Sequence, residues 1–166
     1  MSKAFTKESD DGPENEVHLE FKDPLPPGVK NYVTPEGAAA LRDELSRLES
    51  EPRPKGSDKA AKKRLEALER RTQFLRDRVA NMTVVDTGSQ DKDSVHFGAT
   101  VVVADEEGNE KSYHIVGVDE SDPGKGRISW ISPIAKALIS ARVGDVVTLE
   151  LPDGNAELEI LQIEYR

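Results

Sequence analysis

The 166-residue chain has no cysteine, few aromatic side chains (5%) and only 36% apolar residues. Without cysteine it has neither a disulfide framework nor a thiolate metal site. No apolar run approaches the roughly 20 residues that a membrane span requires. The first residues have no apolar core of a signal peptide and are too acidic for a transit peptide. We therefore expect a cytoplasmic protein with a modest globular core and no membrane association.

Sequence patterns of enzyme active sites are missing as well. The three histidines, His18, His96 and His114, stand at no spacing typical of metal ligands. There is no glycine-rich phosphate loop before a helix and no serine in a strand–turn–helix elbow. The acidic stretches 105–107 and 119–122 fall in turns, and we interpret both as solvated loops. The residues alone thus predict no enzyme chemistry, no cofactor and no metal site.

Charge is distributed unevenly along the chain. The net charge is −9 overall, with −3 on residues 1–33, +3 on residues 34–82 and −9 on residues 83–166. A basic segment next to an acidic body favours orientation towards an anionic target. The same charges are also typical of a solvated coil whose side chains pair along its helices.

Residues 1–32 form an acidic, proline-containing segment with few apolar side chains. Such a composition cannot bury enough apolar surface to offset the entropy of ordering, so a mostly disordered tail is expected.

Residues 33–83 carry the spacing of two paired helices. Apolar side chains recur at intervals of three and four, the a/d pattern of a helix lying along one partner. The first arm has Ala38, Leu41, Leu45 and Leu48, and the second has Ala61, Leu65, Leu68, Thr72, Leu75, Val79 and Met82. This pattern predicts an antiparallel helical hairpin, a short coiled coil, with a monomeric chain because the seam is satisfied internally.

Capping signals set the expected ends of the two helices. Thr34 is suited to be the N-cap of the first helix, which should end near Glu51 because two prolines follow. The second should start after Ser57 or Asp58 and run to about Met82. At about 1.5 Å per residue the second helix is the longer arm. We expect its extra length to lie at the end near the globular body, and we expect a blunt turn at the tip.

From residue 84 the period of the apolar pattern changes to two, which is typical of strands. Strands are expected at 95–103, 112–118, 127–131, 146–151 and 156–164, with a short helix at 133–140. The fold class is therefore α+β: the N-terminal hairpin followed by an antiparallel β domain, residues 84–166, with one short helix.

Several motifs of this C-terminal part occur together in a fixed order. They are Val95-His-Phe-Gly-Ala99, Tyr113-His-Ile-Val-Gly-Val-Asp-Glu120, Ile128-Ser-Trp-Ile-Ser-Pro-Ile-Ala135, Val143-Gly-Asp145 and Pro152-Asp-Gly154. This run resembles the C-terminal domain of the bacterial Gre transcription elongation factors, GreA and GreB. With Val33-Thr-Pro-Glu-Gly37 and parts of the second helix, the resemblance extends over about 130 of the 166 residues.

The resemblance implies an FKBP-like C-terminal domain that docks on RNA polymerase at the rim of its secondary channel. The coiled coil would then point down the channel. The docking loop would centre on a Ser-Pro pair, and the expected polymerase-binding residues are Trp130, Ile131, Ser132, Pro133 and Ile134. An alternative interpretation is structural, with Trp130 as a core aromatic residue and the Ser-Pro pair as the cap and first residue of a helix.

The tip of the hairpin departs from the family pattern. Gre factors that stimulate transcript cleavage carry an acidic pair there, which helps to hold a catalytic metal in the polymerase. Compared with that pattern, roughly 20 residues are missing between Pro52 and Lys62, which shortens the rod by about 15 Å. Glu51 and Asp58 are the only acids left at the tip, and we expect neither to bind metal.

A basic patch lies just behind the tip and consists of Lys59, Lys62, Lys63 and Arg64. Its charge suits contact with nascent RNA or with an acidic surface of the polymerase, and a solvated helix face is the alternative.

Three functions remain open at this point. The leading one is a regulator that occupies the secondary channel and modulates initiation and elongation without stimulating cleavage. The second is a cleavage-stimulating elongation factor that uses Glu51 or Asp58, and the third is a short-coil regulator similar to Rnk.

Overall fold

The computed structural model describes residues 25–166. The predictions made for residues 1–24, including most of the expected tail and His18, lie outside the described residues. The helices are α1 (Pro35–Ser50), α2 (Lys59–Asn81) and α3 (Pro133–Leu138). The strands are β1 (Asn31–Val33), β2 (Met82–Val84), β3 (Ala99–Ala104), β4 (Glu110–Val116), β5 (Arg127–Ser129), β6 (Val146–Leu151) and β7 (Gly154–Tyr165).

Helices α1 and α2 begin and end within about one residue of the positions that the capping signals predict. The Thr34 hydroxyl accepts a hydrogen bond from the backbone N–H of Gly37 at 3.0 Å, which confirms Thr34 as the N-cap of α1. Asp58 is the N-cap residue of α2, but its side chain makes no capping hydrogen bond. The start of α2 is therefore held less firmly than the start of α1.

The predicted seam forms the core of the hairpin. Its buried residues are Val33, Ala38, Leu41, Leu48 and Leu75, with Leu45, Leu68, Phe74, Val79 and Met82 packed against them. Two ion pairs join the arms, one from Arg71 to Glu44 at 2.9 Å and one from Arg76 to Glu49 at 2.8 Å. All four side chains of these pairs are 32% or more exposed, so the apolar seam supplies most of the stability.

The base of the hairpin contains two short strands that the sequence pattern does not reveal. β1 directly precedes the cap of α1, β2 directly follows α2, and the two strands pair in parallel, with Val33 opposite Val84. The residue that precedes the cap of α1 therefore lies beside Val84, three residues past the end of α2. α2 has 23 residues and α1 has 16, so α2 is the longer helix by about 10 Å, as predicted. The expectation that its extra length lies near the globular body stays a prediction.

Five strands of the C-terminal part form one curled sheet in the order β5-β4-β3-β7-β6. Neighbouring strands are antiparallel except β4 and β5, which run parallel with Ile115 opposite Ile128. The expectation of an antiparallel β domain is therefore corrected at this edge. A parallel pair needs a crossover, and the chain makes it through two single-turn 3-10 helices, Val118–Glu120 and Pro123–Lys125.

The core of this part lies between one face of the sheet and α3. Its fully buried side chains include Val95, Val101, Val103, Ile115, Leu138 and Ile160. The fold is thus a mixed helix-and-sheet structure, as the change of apolar period predicts. Among residues 25–166 no helix is long and apolar enough to cross a membrane.

Candidate functional site

The expected docking loop, residues 130–134, connects β5 to α3 and is held at both ends. Its first residue donates a backbone hydrogen bond to the carbonyl of Val116 at 2.9 Å. The hydroxyl of Ser132 accepts from the backbone N–H of Ala135 at 3.2 Å and caps α3, with Pro133 as the first helical residue. Pro133 is exposed, and Ile131 and Ser132 are half-buried. The structural role of the Ser-Pro pair is therefore present, and it leaves the loop surface open to a partner.

Trp130 lies between the C-terminal core and the base of the hairpin. Together with Ile134 it packs against the core of the sheet as a partly buried residue. Its indole ring meets the ring of Tyr32 edge-on, with centroids 5.2 Å apart. The buried Nε1 atom of Trp130 has no hydrogen-bond partner. Trp130 thus joins the docking loop to β1, a contact that spacing alone does not reveal.

The tip segment, residues 51–58, connects α1 to α2 without a helix or strand of its own. Its residues are exposed apart from Pro54, which is half-buried. A Cβ atom added to Gly56 would lie 3.1 Å from that of Ala61, so Gly56 packs against the first turn of α2. Glu51 follows the end of α1 and Asp58 is the N-cap residue of α2, so the two acids flank the segment.

The basic patch lies on the first two turns of α2. All four of its side chains are exposed. Within residues 25–166 none of the four forms an ion pair. The first turn of α2 also lacks an acidic residue. The four positive side chains therefore point to solvent without an ion-pair partner among the described residues.

The sequence pattern misjudges two acidic residues, Asp119 and Glu120, which lie where the base of the hairpin meets the curled sheet. We interpreted residues 119–122 as a solvated loop, whereas the side chains of Asp119 and Glu120 are only 6% and 3% exposed. A buried carboxylate needs hydrogen-bond donors or opposite charges around it. We call these two residues the acidic clamp. No local signal marks them, because their partners in the hairpin and in β1 lie 41 to 88 residues away in the chain.

Glu120 binds the start of α1. One of its oxygens, Oε2, accepts hydrogen bonds from the backbone N–H groups of Thr34 and Gly117, at 3.0 and 2.9 Å. The other, Oε1, accepts from the Thr34 hydroxyl and lies 3.8 Å from the guanidinium of Arg127. A Cβ atom on Gly37 would lie 2.1 Å from the Glu120 carboxyl, so only glycine allows this approach.

Asp119 binds the other arm and β1. Its Oδ1 atom lies 3.4 Å from Nε of Arg78 in the last turn of α2, and its Oδ2 atom accepts from the Asn31 amide at 3.2 Å. The acidic clamp therefore contacts both arms of the hairpin at their common base.

Elsewhere the titratable groups are consistent with structural roles. Burial, reinforced by the charge of Arg127, holds the pKa of His114 below its ordinary value of 6.5. Hydrogen bonds from Asn109 lower the pKa of Asp105 below 3.8, which fits its place in an exposed turn. Within the part of the chain that the structure describes, no three His, Asp or Glu side chains are grouped to hold a metal ion.

Comparison with protein families now identifies the class of the chain. Residues 90–165, which include the whole curled sheet and α3, match the family described as "Transcription elongation factor, GreA/GreB, C-term". The C-terminal part of the chain is thus similar to the C-terminal domain of these factors.

Relatives of full length establish the family. The chain is 41% identical to the transcription elongation factor GreB of Neisseria meningitidis serogroup B, over 82% of this chain and 95% of the relative. It is 36% identical to the transcription elongation factor GreA of Desulfovibrio desulfuricans, over 81% and 93% of the two chains. The chain belongs to the GreA/GreB family of transcription elongation factors, and the resemblance seen in its motifs is confirmed.

The alignment with the Neisseria relative also bears on the length of the chain. It spans 155 positions but covers only 82% of the 166 residues, about 136, so about 19 positions have no counterpart here. The chain is therefore shorter than this relative within the aligned region.

Two solved structures are similar over most of the chain. GreA factor homolog 1 of Thermus thermophilus is 26% identical over 82% of this chain and 99% of its own, with a TM-score of 0.38. A GreA/GreB factor of Nitrosomonas europaea is 21% identical over 82% and 100%, with a TM-score of 0.42. The family assignment rests on the sequence relatives rather than on these scores.

One expectation from the sequence is corrected by these comparisons. We predicted that the chain is not an enzyme, because it has no catalytic motif of its own. The relatives are named GreB and GreA, the factors associated with stimulated transcript cleavage, so that prediction is wrong. A self-contained catalytic motif is not a reliable criterion here, because such factors assist a reaction that takes place in the polymerase.

Proposed function

We propose that this factor binds RNA polymerase at the rim of the secondary channel through its docking loop and places its hairpin in the channel. There it modulates initiation and elongation. The observation that carries the proposal is an exposed, rigidly capped loop next to the hairpin base, in a chain of the GreA/GreB family. The same proposal includes the FKBP-like description of the C-terminal part, a cytoplasmic location with the polymerase, and a monomeric chain.

The surface of the loop supports a role in binding. Pro133 is exposed, while Trp130, Ile131 and Ile134 each show part of an apolar side chain to solvent. Aromatic and apolar anchors of this kind dominate the energetics of interfaces when a partner buries them. The loop loses little entropy on binding because its backbone is already fixed by the Ser132 cap and by β5.

The length of the hairpin sets how the factor acts once it is bound. α2 is about 35 Å long, and the rod is about 15 Å shorter than the family pattern implies. Even about 1 Å of misplacement can reduce a catalytic contribution about 100-fold. We therefore expect occupancy of the channel and competition with longer Gre factors to be the main effect, and stimulated cleavage to be much weaker than that of a longer relative.

Two further possibilities belong to the same proposal. The four side chains of the basic patch are exposed and form no ion pair within residues 25–166, which supports contact with nascent RNA or with an acidic surface of the channel. The second possibility is a short-coil regulator similar to Rnk. Such a regulator would bind the polymerase through the same docking loop, but its hairpin would not enter the secondary channel deeply.

Binding to core RNA polymerase tests the docking loop. The variant Ile131→Asp, alone and combined with Pro133→Ala, should weaken binding about 10-fold or more, because a charge replaces an apolar anchor. Pro152→Ala, at an exposed proline in the β6–β7 turn, is the matched control and should bind like the parent. The proposal is wrong if the parent does not bind polymerase at micromolar concentration, or if the loop variants bind equally well.

A backtracked transcription complex tests the action of the tip. Adding the factor together with a longer Gre relative should slow cleavage in proportion to occupancy of the shared site. The contrary result is that the factor alone supports cleavage as fast as the longer relative does, with this activity lost in Glu51→Ala/Asp58→Ala. That result would establish the second function, a cleavage factor that uses its tip carboxylates.

A further inference from the structure

The acidic clamp contacts both arms of the hairpin and the elements that lead to the docking loop. We propose that Asp119 and Glu120 are positioning residues that fix the direction of the hairpin relative to the loop. This inference rests on the proposed function, since the direction of the rod matters for activity only when the loop is docked.

The first step of the argument concerns α1. A helix starts where its cap is held, and the cap residue Thr34 gives both its N–H and its hydroxyl to Glu120. The same hydroxyl accepts from Gly37, so the first turn of α1 is linked to Glu120 through one residue. Hydrogen bonds to an ionised carboxylate are about twice as strong as neutral ones.

The second step concerns α2. A single attachment would let the rod pivot about the Thr34 contact. Asp119 supplies a second attachment, through Arg78 in the last turn of α2 and through Asn31 in β1. Asp119 and Glu120 are adjacent in one 3-10 turn, and each holds a different arm of the hairpin. These two attachments together resist rotation of the hairpin relative to the turn.

The third step connects the clamp to the docking loop. Glu120 faces Arg127, the first residue of β5, and β5 runs directly into Trp130. Trp130 is bonded through its backbone to Val116, two residues before the clamp turn, and its ring packs on Tyr32 of β1. Only a few residues therefore separate the docking loop from the points that hold the rod.

Conservative variants separate positioning from packing. Glu120→Gln keeps the volume of the side chain but replaces one carboxylate oxygen with an N–H₂ group, which is a donor. At the Oε2 position this group would face two backbone N–H donors, and at the Oε1 position it would face the Arg127 guanidinium and the Thr34 hydroxyl. Hydrogen bonds are lost in either orientation. Asp119→Asn removes the charge that faces Arg78. Each loss of hydrogen bonds to a charged group should raise the population of other rod directions about 10-fold or more. Glu157→Gln, at an exposed position of β7, is the matched control.

The direction of the rod can be measured in the free protein. The chain has no cysteine, so Ser57→Cys and Asp153→Cys, both exposed, place spin labels only at the tip and on the β6–β7 turn. The parent and Glu157→Gln should give one narrow distance distribution. Glu120→Gln and Asp119→Asn should give broader or shifted distributions, with the helical circular dichroism unchanged. Unchanged distributions in both clamp variants would overturn the inference.

Binding to polymerase supplies the second readout. In the clamp variants the affinity set by the docking loop should change less than about twofold. A photo-crosslinker on Ser57→Cys should lose its parental crosslinks in the channel about 10-fold. Equal losses of affinity and crosslinking would show a merely structural role and contradict the inference. If the parent fails to bind polymerase, the proposed function fails, while the spin-label distances still decide whether the clamp directs the rod.

Discussion

His114 is a residue whose chemistry is set by its neighbours on several elements. It lies on β4, next to Arg127 of β5, with Glu120 in the following turn and Glu36 of α1 contributing opposing charge. Burial is the largest effect and disfavours the charged imidazolium, so the folded chain holds this histidine neutral more firmly than the unfolded chain does. Protonation of the half-buried His114 is therefore coupled to the folding equilibrium of the protein.

Stability should therefore fall when the pH drops below 6.5. Below that value the unfolded chain takes up a proton that the folded chain resists, so protonation favours the unfolded state. Urea unfolding at pH 7.5 and at pH 5.5 measures the decrease in the free energy of unfolding. This decrease should be smaller in His114→Gln than in the parent. An equal decrease in the variant would show that other groups cause the dependence.

Gly37 is the second residue with a specific consequence. In an ordinary helix, alanine would be favoured over glycine by about 1 kcal/mol. Here the new methyl group would meet the Glu120 carboxyl at 2.1 Å. Gly37→Ala should therefore destabilise the fold by about 1–3 kcal/mol in chemical denaturation. Gly124→Ala, whose methyl group has only an ordinary contact at 3.5 Å, serves as the control, and a stabilised Gly37→Ala would refute the close contact.

At the scale of the elements, local patterns predict much of the fold. The seam spacing and the Thr34 cap predict both long helices closely, because each signal acts within a few residues. The three-residue strands β1 and β2 have no alternation to detect, and their parallel pairing depends on contacts across about 50 residues. The acidic clamp was mistaken for a solvated loop for the same reason, since burial of Asp119 and Glu120 arises only when the hairpin meets the sheet.

The hairpin depends on its seam rather than on its ion pairs. Leu75 is fully buried between α1 and α2, so Leu75→Ala should destabilise the protein by about 2–5 kcal/mol. Thermal unfolding followed by helical circular dichroism measures the change. Leu151→Ala, at a position 48% exposed on β6, should stay within about 0.5 kcal/mol of the parent. Similar effects of the two substitutions would contradict the assigned core.

At the scale of the whole molecule, the basic hairpin and the acidic C-terminal part give the protein a charge polarity. The net charge is +3 over residues 34–82 and −9 over residues 83–166. A long-range field of this kind orients a protein as it approaches a charged partner, and salt weakens the effect. The polarity suits an approach in which the hairpin leads.

The chain should be a monomer in solution. The seam residues of the hairpin are buried or half-buried, and the exposed large apolar side chains within residues 25–166 are only Val84, Val143, Val146 and Leu151. Sedimentation at micromolar concentration should therefore give the mass of one chain. A stable dimer would contradict this, and its loss in Val146→Thr would locate the contact at the free edge of the sheet.

The unequal lengths of α1 and α2 have a consequence for the width of the rod. α2 has 23 residues and α1 has 16, so about 10 Å of α2 has no part of α1 beside it. Over that length α2 is a single helix, only about 10–12 Å across. An opening too narrow for two helices would therefore still admit this part of α2.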